Sequence, residues 1–458
     1  MQRKYLEALR EWNKDPYRKP MIVWGARQVG KTYLVKDLFA EQEYKGRYIY
    51  VDCRVNYRFV DYCRKHVNDE EILSYLSLSH QREIGKDTLL VFDEAQECPE
   101  LVTLMKYFCQ NHREIPILLT GSMIRLRLKR DSNVRGQKDN NAFLFPIGKI
   151  NELTVYPLTF GEFLYNRNAM LYKKVKEAYK EKKELSEAEH SMAMSVFYDY
   201  LLIGGMPEAD RIFLETGSYQ KARKTVIELY NHYLEDMPLY QASNESKLRS
   251  ETIFKTIYSQ LSKESKNFKP GIVQKGLRNR DLESPLDWLS LAHLVYRSTM
   301  VKERVSLPLM EAKEALYRLY LSDSGIFSYE SQVEPTAFLS QTGRNTLSGI
   351  FFENYMATEL VSHGFPLFYW RGKNDAEFEF LLQDKDAVVP IDVKKKKGTL
   401  NSLSKFIAHN KLDYAVKVSA NRYGYDKEHR IRTLPFYDVG FYLEEVKERN
   451  DQIGNEIG

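Results

Sequence analysis

Three groups of residues carry types and spacings that suit chemistry. The first is Gly25-Ala26-Arg27-Gln28-Val29-Gly30-Lys31-Thr32, which fits the spacing of a phosphate-binding loop. Glycine at both ends lets the backbone wrap an oxyanion without a clashing side chain. Lys31 is the residue type that reaches β- and γ-phosphates, and the Thr32 hydroxyl is the type that sits on Mg²⁺. The second group is Asp93-Glu94, two carboxylates directly after the apolar run Leu89-Leu90-Val91-Phe92. Asp93 suits the metal shell, and Glu94 suits polarisation of an attacking water. The third is Thr120 with Ser122, hydroxyls at the end of Ile117-Leu118-Leu119, placed to sense a γ-phosphate from beside the Asp93 run. A bare hydroxyl there is also the type that caps a following helix.

These side chains need elements to hold them. Met21 to Trp24 reads as a buried strand before the loop, and Leu34, Val35, Leu38 and Phe39 recur at helical spacing after it. A loop between strand and helix gathers N–H groups and the positive end of the helix dipole. The runs at 88–93 and 117–120 read as fully buried parallel strands, whose C-terminal ends are where open α/β sheets bind ligands. Arg47 to Val51 is a further strand, residues 70–77 are helical, and residues 1–20 open with an amphipathic helix carrying Tyr5, Leu6, Leu9 and Trp12. Order and spacing point to the P-loop ATPase subclass with a catalytic glutamate, in which the sensor strand lies between the two motif strands. ATP and Mg²⁺ are the expected ligands.

Composition sets the outer limits. At 458 residues the chain should hold three or more domains. Hydrophobic content of 43% with 29% charged residues is that of a soluble globular protein. The net charge of +5 permits nucleic-acid binding without demanding it. All four cysteines lie in the first quarter with no C-x-x-C pair, so reduced thiols are expected. The start has no signal-peptide core, and no apolar run approaches a membrane span. A cytoplasmic protein is expected, with no membrane partner.

The loop, Phe92-Asp93-Glu94-Ala95-Gln96, Leu119-Thr120-Gly121-Ser122 and Tyr156-Pro157-Leu158-Thr159-Phe160-Gly161-Glu162-Phe163 together resemble prokaryotic AAA-type ATPases with a C-terminal domain of unknown function numbered 4143. Collinear matches follow at Gly204-Gly205-Met206-Pro207-Glu208, Pro308-Leu309, Tyr317 to Gly325, Phe351-Phe352-Glu353-Asn354-Tyr355 and Pro390-Ile391-Asp392-Val393-Lys394. The resemblance implies an α/β multidomain chain. It comprises an ATPase core over 1–155 with a parallel sheet, a helical lid over 156–245 and a winged-helix-like domain over 246–330. A small α/β restriction-endonuclease-like domain over 331–445 and a polar, frayed tail over 446–458 complete it.

In that last domain, Glu379 followed by Asp392-Val393-Lys394 resembles the nuclease-fold core. There strand-borne acids bind a second divalent metal and a lysine orients water, and Glu353 matches the helix acid. The resembling family has aspartate at the position of Glu379 and glutamate at that of Asp392, so both carboxylates are exchanged in length. In a strand, Asp392 and Lys394 point to one face and Val393 to the other. A degenerate nuclease fold kept for binding is the alternative.

Charge placement guides the rest. Lysines 173, 174, 176, 180, 182 and 183 alternate with glutamates as on a solvated helix face. Arg125, Arg127, Lys129, Arg130 and Arg135 form a basic stretch that is either a solvated, phosphate-attracting loop or the source of an arginine finger. Glu283 and Asp287 start the third helix of the winged-helix segment, which disfavours DNA reading there. The expected function is Mg²⁺-dependent ATP binding and hydrolysis coupled to conformational change of the nuclease-like module. Two alternatives stay open: a slow nucleotide-dependent switch or scaffold with an inactive nuclease-like fold, and a winged-helix DNA-binding regulator. Nucleic acid, a protein partner or a second copy of the chain are the partners these readings admit.

Overall fold

A computed structural model describes the chain except for residues 123–144, 241–242, 303, 313–315, 373–376, 395–400, 411 and 458. The basic stretch with Arg125 to Arg135 and the lysines at 395–397 therefore lie outside the described residues.

Helix α1 (Tyr5–Lys14) leads into β1 (Met21–Trp24), followed by α2 (Tyr33–Tyr44, wound with π-type spacing) and β2 (Tyr48–Asp52). Then come α3 (Tyr57–Lys65), α4 (Asp69–His80), β3 (Leu89–Asp93), α5 (Pro99–Asn111), β4 (Ile117–Thr120) and β5 (Asn151–Thr154). The strands form one parallel sheet in the order β2-β3-β4-β1-β5. β4 lies between β3 and β1, as the sensor-strand reading expects. Strands β1, β3 and β4 are buried at every position, because helices cover both faces. Alternate residues serve the two layers. Val23, Val91 and Leu118 pack with Leu34, Phe39 and Trp12, while Ile22, Phe92 and Leu119 pack with Phe59, Met105 and Phe108. All C-terminal strand ends open on one edge. The four cysteines are buried, free thiols.

The middle of the chain is helical: α6 (Phe160–Arg167), α7 (Ala169–Glu181), α8 (Glu187–Ile203), α9 (Pro207–Thr216), α10 (Tyr219–Tyr240) and α11 (Asn244–Leu261). Thr159 and Glu162 close α6 with a reciprocal capping box. On α7, Leu171, Val175 and Tyr179 are buried while Lys173, Lys174 and Lys180 are exposed, a solvated basic face.

The winged-helix segment departs from the sequence reading. The second helix, α12, covers only Pro270–Val273, between a proline start and Gly276, and α13 spans Glu283–Leu291. β6 (Val295–Met300) and β7 (Tyr317–Leu321), which flank Pro308, form the edge hairpin of a larger sheet. Its order is β12-β13-β11-β10-β9-β8-β6-β7, with β8 (Phe368–Arg371), β9 (Glu377–Asp384), β10 (Ala387–Val393), β11 (Ala415–Ser419), β12 (Gly424–Asp426) and β13 (Ile431–Pro435). This sheet runs across residue 330. Every residue of β7 is buried. Helices α14 (Ser324–Glu330), α15 (Pro335–Leu339), α16 (Gln341–Ser362), α17 (Asn401–Asn410) and α18 (Val439–Ile457) complete the chain.

The frayed tail is corrected by α18, which continues to Ile457. Val439, Tyr442, Leu443 and Val446 are buried at helical spacing. Arg449 then bonds both oxygens of Asp384 at 3.0 and 2.8 Å, and the Lys385 N–H donates to Asn450 at 2.6 Å. Polarity there reflects specific pairing with β9, which composition does not distinguish from disorder.

The turn before α9 joins the two halves. A Cβ on Gly205 would stand 2.1 Å from the Leu158 carbonyl oxygen and 2.8 Å from its nitrogen, whereas a Cβ on Gly85 would meet nothing within 4 Å. Gly205→Ala should therefore cost about 1–3 kcal/mol and Gly85→Ala little, compared by urea denaturation of the full chain. Equal midpoints for the two variants would contradict the close approach.

Candidate functional site

The loop between β1 and α2 has left-handed backbone at Gln28 (φ 65°) and Gly30 (φ 86°), with Gly25 at φ 138°. A Cβ on Gly25 would lie 2.1 Å from the Val155 carbonyl oxygen, so only glycine lets the loop leave β1 beside β5. Lys31 is buried, and its Nζ donates to the carbonyls of Gly25 and Ala26 at 3.1 and 2.7 Å. Burial pushes its pKa down to about 8, with Glu94 and Asp93 opposing the shift and Arg27 adding to it. A desolvated ammonium folded back on loop carbonyls fits a polyphosphate, which would supply the missing negative charge.

Asp93, at the end of β3, is buried. Its Oδ2 accepts hydroxyls from Thr32 at 2.8 Å and Tyr50 at 2.7 Å, and its Oδ1 accepts the Glu94 N–H at 3.0 Å and the Thr120 hydroxyl. The chain thus brings Thr32, Asp93 and Thr120 together as a hydroxyl–carboxylate set suited to Mg²⁺. Thr120 faces the carboxylate itself, and Ser122 follows, half-buried. Glu94 has left-handed backbone at φ 50°, and the Gln96 amide donates to its carboxylate. Gln96 is buried with its Oε1 unpartnered.

Sequence reasoning missed the groups that hold the loop from outside. Buried Arg3 donates to the Val29 carbonyl at 2.8 Å and the Tyr156 carbonyl at 2.7 Å, and pairs with Glu162 at 3.1 Å. Arg27 bonds both oxygens of Asp236 on α10 at 2.8 and 2.9 Å, and its carbonyl accepts the Tyr233 hydroxyl at 2.9 Å. Arg27 and Asp236 are too distant in sequence for any local pattern to link them. Tyr230, also on α10, stacks edge-on against Tyr329 of α14 with ring centroids 5.0 Å apart. Asp323, just before α14, accepts the Gly205 N–H at 2.7 Å and the Ile326 N–H at 3.0 Å. Phe327 of α14 meets Phe351 of α16 at 5.2 Å.

The C-terminal acids are brought near one another, each with cations of the chain. Lys394 pairs with Asp392 at 2.8 Å and Glu379 at 3.5 Å, so Asp392 and Lys394 share a face, and Val393 packs in the core. The Val393 N–H donates to Glu379 at 3.1 Å. Burial pushes the Glu379 carboxyl up to about 7, against Lys394 and with Asp392. Lys417 stands opposite Asp392 in the β10–β11 register. Glu353 is turned onto Lys266, onto Arg318 at 3.4 Å and onto the Tyr320 hydroxyl at 2.7 Å, and Arg318 and Lys266 also reach Glu377. Burial raises the Glu353 pKa, but Lys266 and Arg318 outweigh it and hold the carboxyl below its ordinary range. Among the described residues no group of three or more His, Cys, Asp or Glu side chains stands ready to hold a metal. The charges Glu353, Glu377, Glu379 and Asp392 are met by Lys266, Arg318, Lys394 and Lys417. No described helix is long and apolar enough to cross a membrane.

Residues 17–164 match the family of the AAA domain, residues 194–337 a domain of unknown function (DUF8612), and residues 348–438 a domain of unknown function (DUF4143). No curated protein matches the chain. Among solved structures, a Walker-type ATPase of Pyrococcus abyssi is similar at 15% identity, covering 72% of this chain and 95% of that one, with a TM-score of 0.42. DnaA from Aquifex aeolicus bound to AMPPCP is similar at 15% identity, covering 62% and 86%, with a TM-score of 0.26. A replication initiator DnaA bound to AMPPCP and single-stranded DNA is similar at 18% identity, covering 62% and 84%, with a TM-score of 0.26.

The lowered Lys31 pKa has a consequence for binding. Near pH 8 the free loop carries Lys31 partly deprotonated, and a triphosphate beside it restores the proton. ATP binding at pH 8 should take up a fraction of a proton, read as a dependence of the calorimetric enthalpy on buffer ionisation enthalpy. Lys31→Arg, which stays charged, should bind without uptake. The same buffer dependence in Lys31→Arg would assign the proton elsewhere.

Proposed function

We propose that the chain is an ATPase in which ATP turnover at residues 25–32, 93 and 94 moves the C-terminal module; the AAA-domain match over residues 17–164 and the DUF4143 match over residues 348–438 support this reading. Lys31 would neutralise the β- and γ-phosphates, and the Thr32 hydroxyl with Asp93 would hold Mg²⁺. When bound, Mg²⁺ offsets charge on the phosphate oxygens. Glu94 leaves the Gln96 amide to orient the attacking water and take up its proton, while the backbone of the loop holds the leaving phosphates. Thr120 keeps Asp93 turned toward the nucleotide.

The observation that carries the coupling is the Arg27–Asp236 pair: a residue inside the phosphate-binding loop is bonded to helix α10, which packs on α14 of the C-terminal half. Any displacement of the loop by phosphate loads this pair. In Glu94→Gln, which should retain ATP without turning it over, ATP should change amide hydrogen exchange over α14 and α16. Adding Asp236→Asn should keep ATP binding and abolish most of that change. Identical exchange with and without ATP would remove the coupling from the reading.

The switch reading of the C-terminal module is favoured over a metal nuclease by the ion pairs that already match Glu353, Glu377, Glu379 and Asp392. A divalent cation would have to displace Lys266, Arg318 and Lys394. Calorimetry of the full chain with Mn²⁺, parent against Asp392→Ala, should give the same binding for both, and single- and double-stranded DNA and RNA should remain intact. Asp392-dependent Mn²⁺ binding or cleavage would restore the nuclease reading with its second metal.

A further inference from the structure

One hydroxyl outside every sequence motif reaches the nucleotide site. Tyr50 lies on β2, the edge strand, in register with Val91, two positions before the Asp52–Asp93 pair. Its hydroxyl donates to Asp93 Oδ2 at 2.7 Å, the same oxygen that accepts the Thr32 hydroxyl at 2.8 Å. Lys36, one turn beyond Thr32 on α2, covers the Tyr50 ring with its Nζ 4.4 Å from the centroid. Thr32, Asp93, Tyr50 and Lys36 therefore close a circuit between the loop helix and two strands.

The other carboxylate oxygen is held from the opposite side, by Thr120 on β4 and by the Glu94 N–H. Flanking strands thus grip Asp93 on both sides, and removing either grip frees the carboxylate to rotate. The ring sits half-buried under Lys36, which a phenylalanine would preserve.

We infer that Tyr50 is a positioning residue: its phenol sets the orientation in which Asp93 Oδ2 and the Thr32 hydroxyl together receive the divalent cation of the nucleotide. This rests on the reading of Asp93 as the metal-side carboxylate. Tyr50 acts through Asp93, the group its hydroxyl reaches.

The test uses the full chain as parent, Tyr50→Phe and Asp93→Asn. Affinity for ADP is measured in EDTA, and Mn²⁺ affinity of the ADP complex by electron paramagnetic resonance. Tyr50→Phe should bind ADP in EDTA within about twofold of the parent, yet bind Mn²⁺ about tenfold more weakly, the scale of a lost hydrogen bond to a charged group. Excess Mn²⁺ should restore its turnover, which it would not do for a folding defect. Unchanged or tighter Mn²⁺ binding in Tyr50→Phe, with Asp93→Asn weakened, overturns the role of Tyr50 alone. Unchanged Mn²⁺ binding in Asp93→Asn overturns the reading of Asp93 and the inference with it. Equal loss of ADP affinity in EDTA and of Mn²⁺ affinity in Tyr50→Phe makes the residue merely structural and also overturns the inference.

Discussion

A carboxylate at the end of a buried strand must be met by donors or it does not stay buried as an anion. Asp93 imposes that requirement here. Four donors satisfy it, and each comes from a different place: the loop helix, β2, β4 and the next residue along the chain. Meeting it aligns the phosphate-binding loop with the motif strand, and it spends the hydroxyls of Thr32 and Thr120 on a single group. The catalytic carboxylate candidate, Glu94, is displaced from this set by its left-handed backbone and is held by Gln96 instead. Two adjacent acids thus receive different environments, which is the basis for giving them different roles.

The loop is gripped from outside as well. Arg3 and the α10 residues Tyr233 and Asp236 bond to Val29 and Arg27 of the loop. Two of these three contacts run to backbone carbonyls, so they report loop position whatever its side chains do. The path onward, from Tyr230 through α14 to α16, consists of packed aromatic rings and the buried Asp323 cap. Close-packed contacts of this kind resist gradual deformation, which suits transmission of a discrete movement.

In the C-terminal sheet the same problem, buried acids, has a different solution. Lys266, Arg318 and Lys394 pair with the acids Glu353, Glu379 and Asp392, and Lys417 stands opposite Asp392 in register. A buried ion pair contributes little to stability compared with apolar packing, but breaking one partner away is costly. The network therefore fixes how the segment before α12, the β7 edge, α16 and the β9–β10 hairpin fit together.

What the sequence determined is local. Gly25 and Gly30 with Lys31 and Thr32, and an apolar run ending in Asp93-Glu94, specify a loop, a strand and their order, because glycine tolerance and strand burial are written in neighbouring residues. The place of β4 between β3 and β1 was expected only from the likeness to the P-loop ATPase subclass, since spacing along the chain does not fix the order of strands in a sheet. The C-terminal acids could be put on one helix and two strands, and the shared face of Asp392 and Lys394 followed from strand alternation. Tertiary structure alone decided what those charges meet. Whether Glu353 faces a metal or Lys266 depends on a residue 87 positions away. That 295–321 joins the C-terminal sheet depends on β8, and whether the polar end of the chain frays depends on Asp384. Tyr50, Gln96, Arg3 and Asp236 belong to the site by contact across elements, and hydrogen bonds between distant elements leave no period in the sequence from which they could be read.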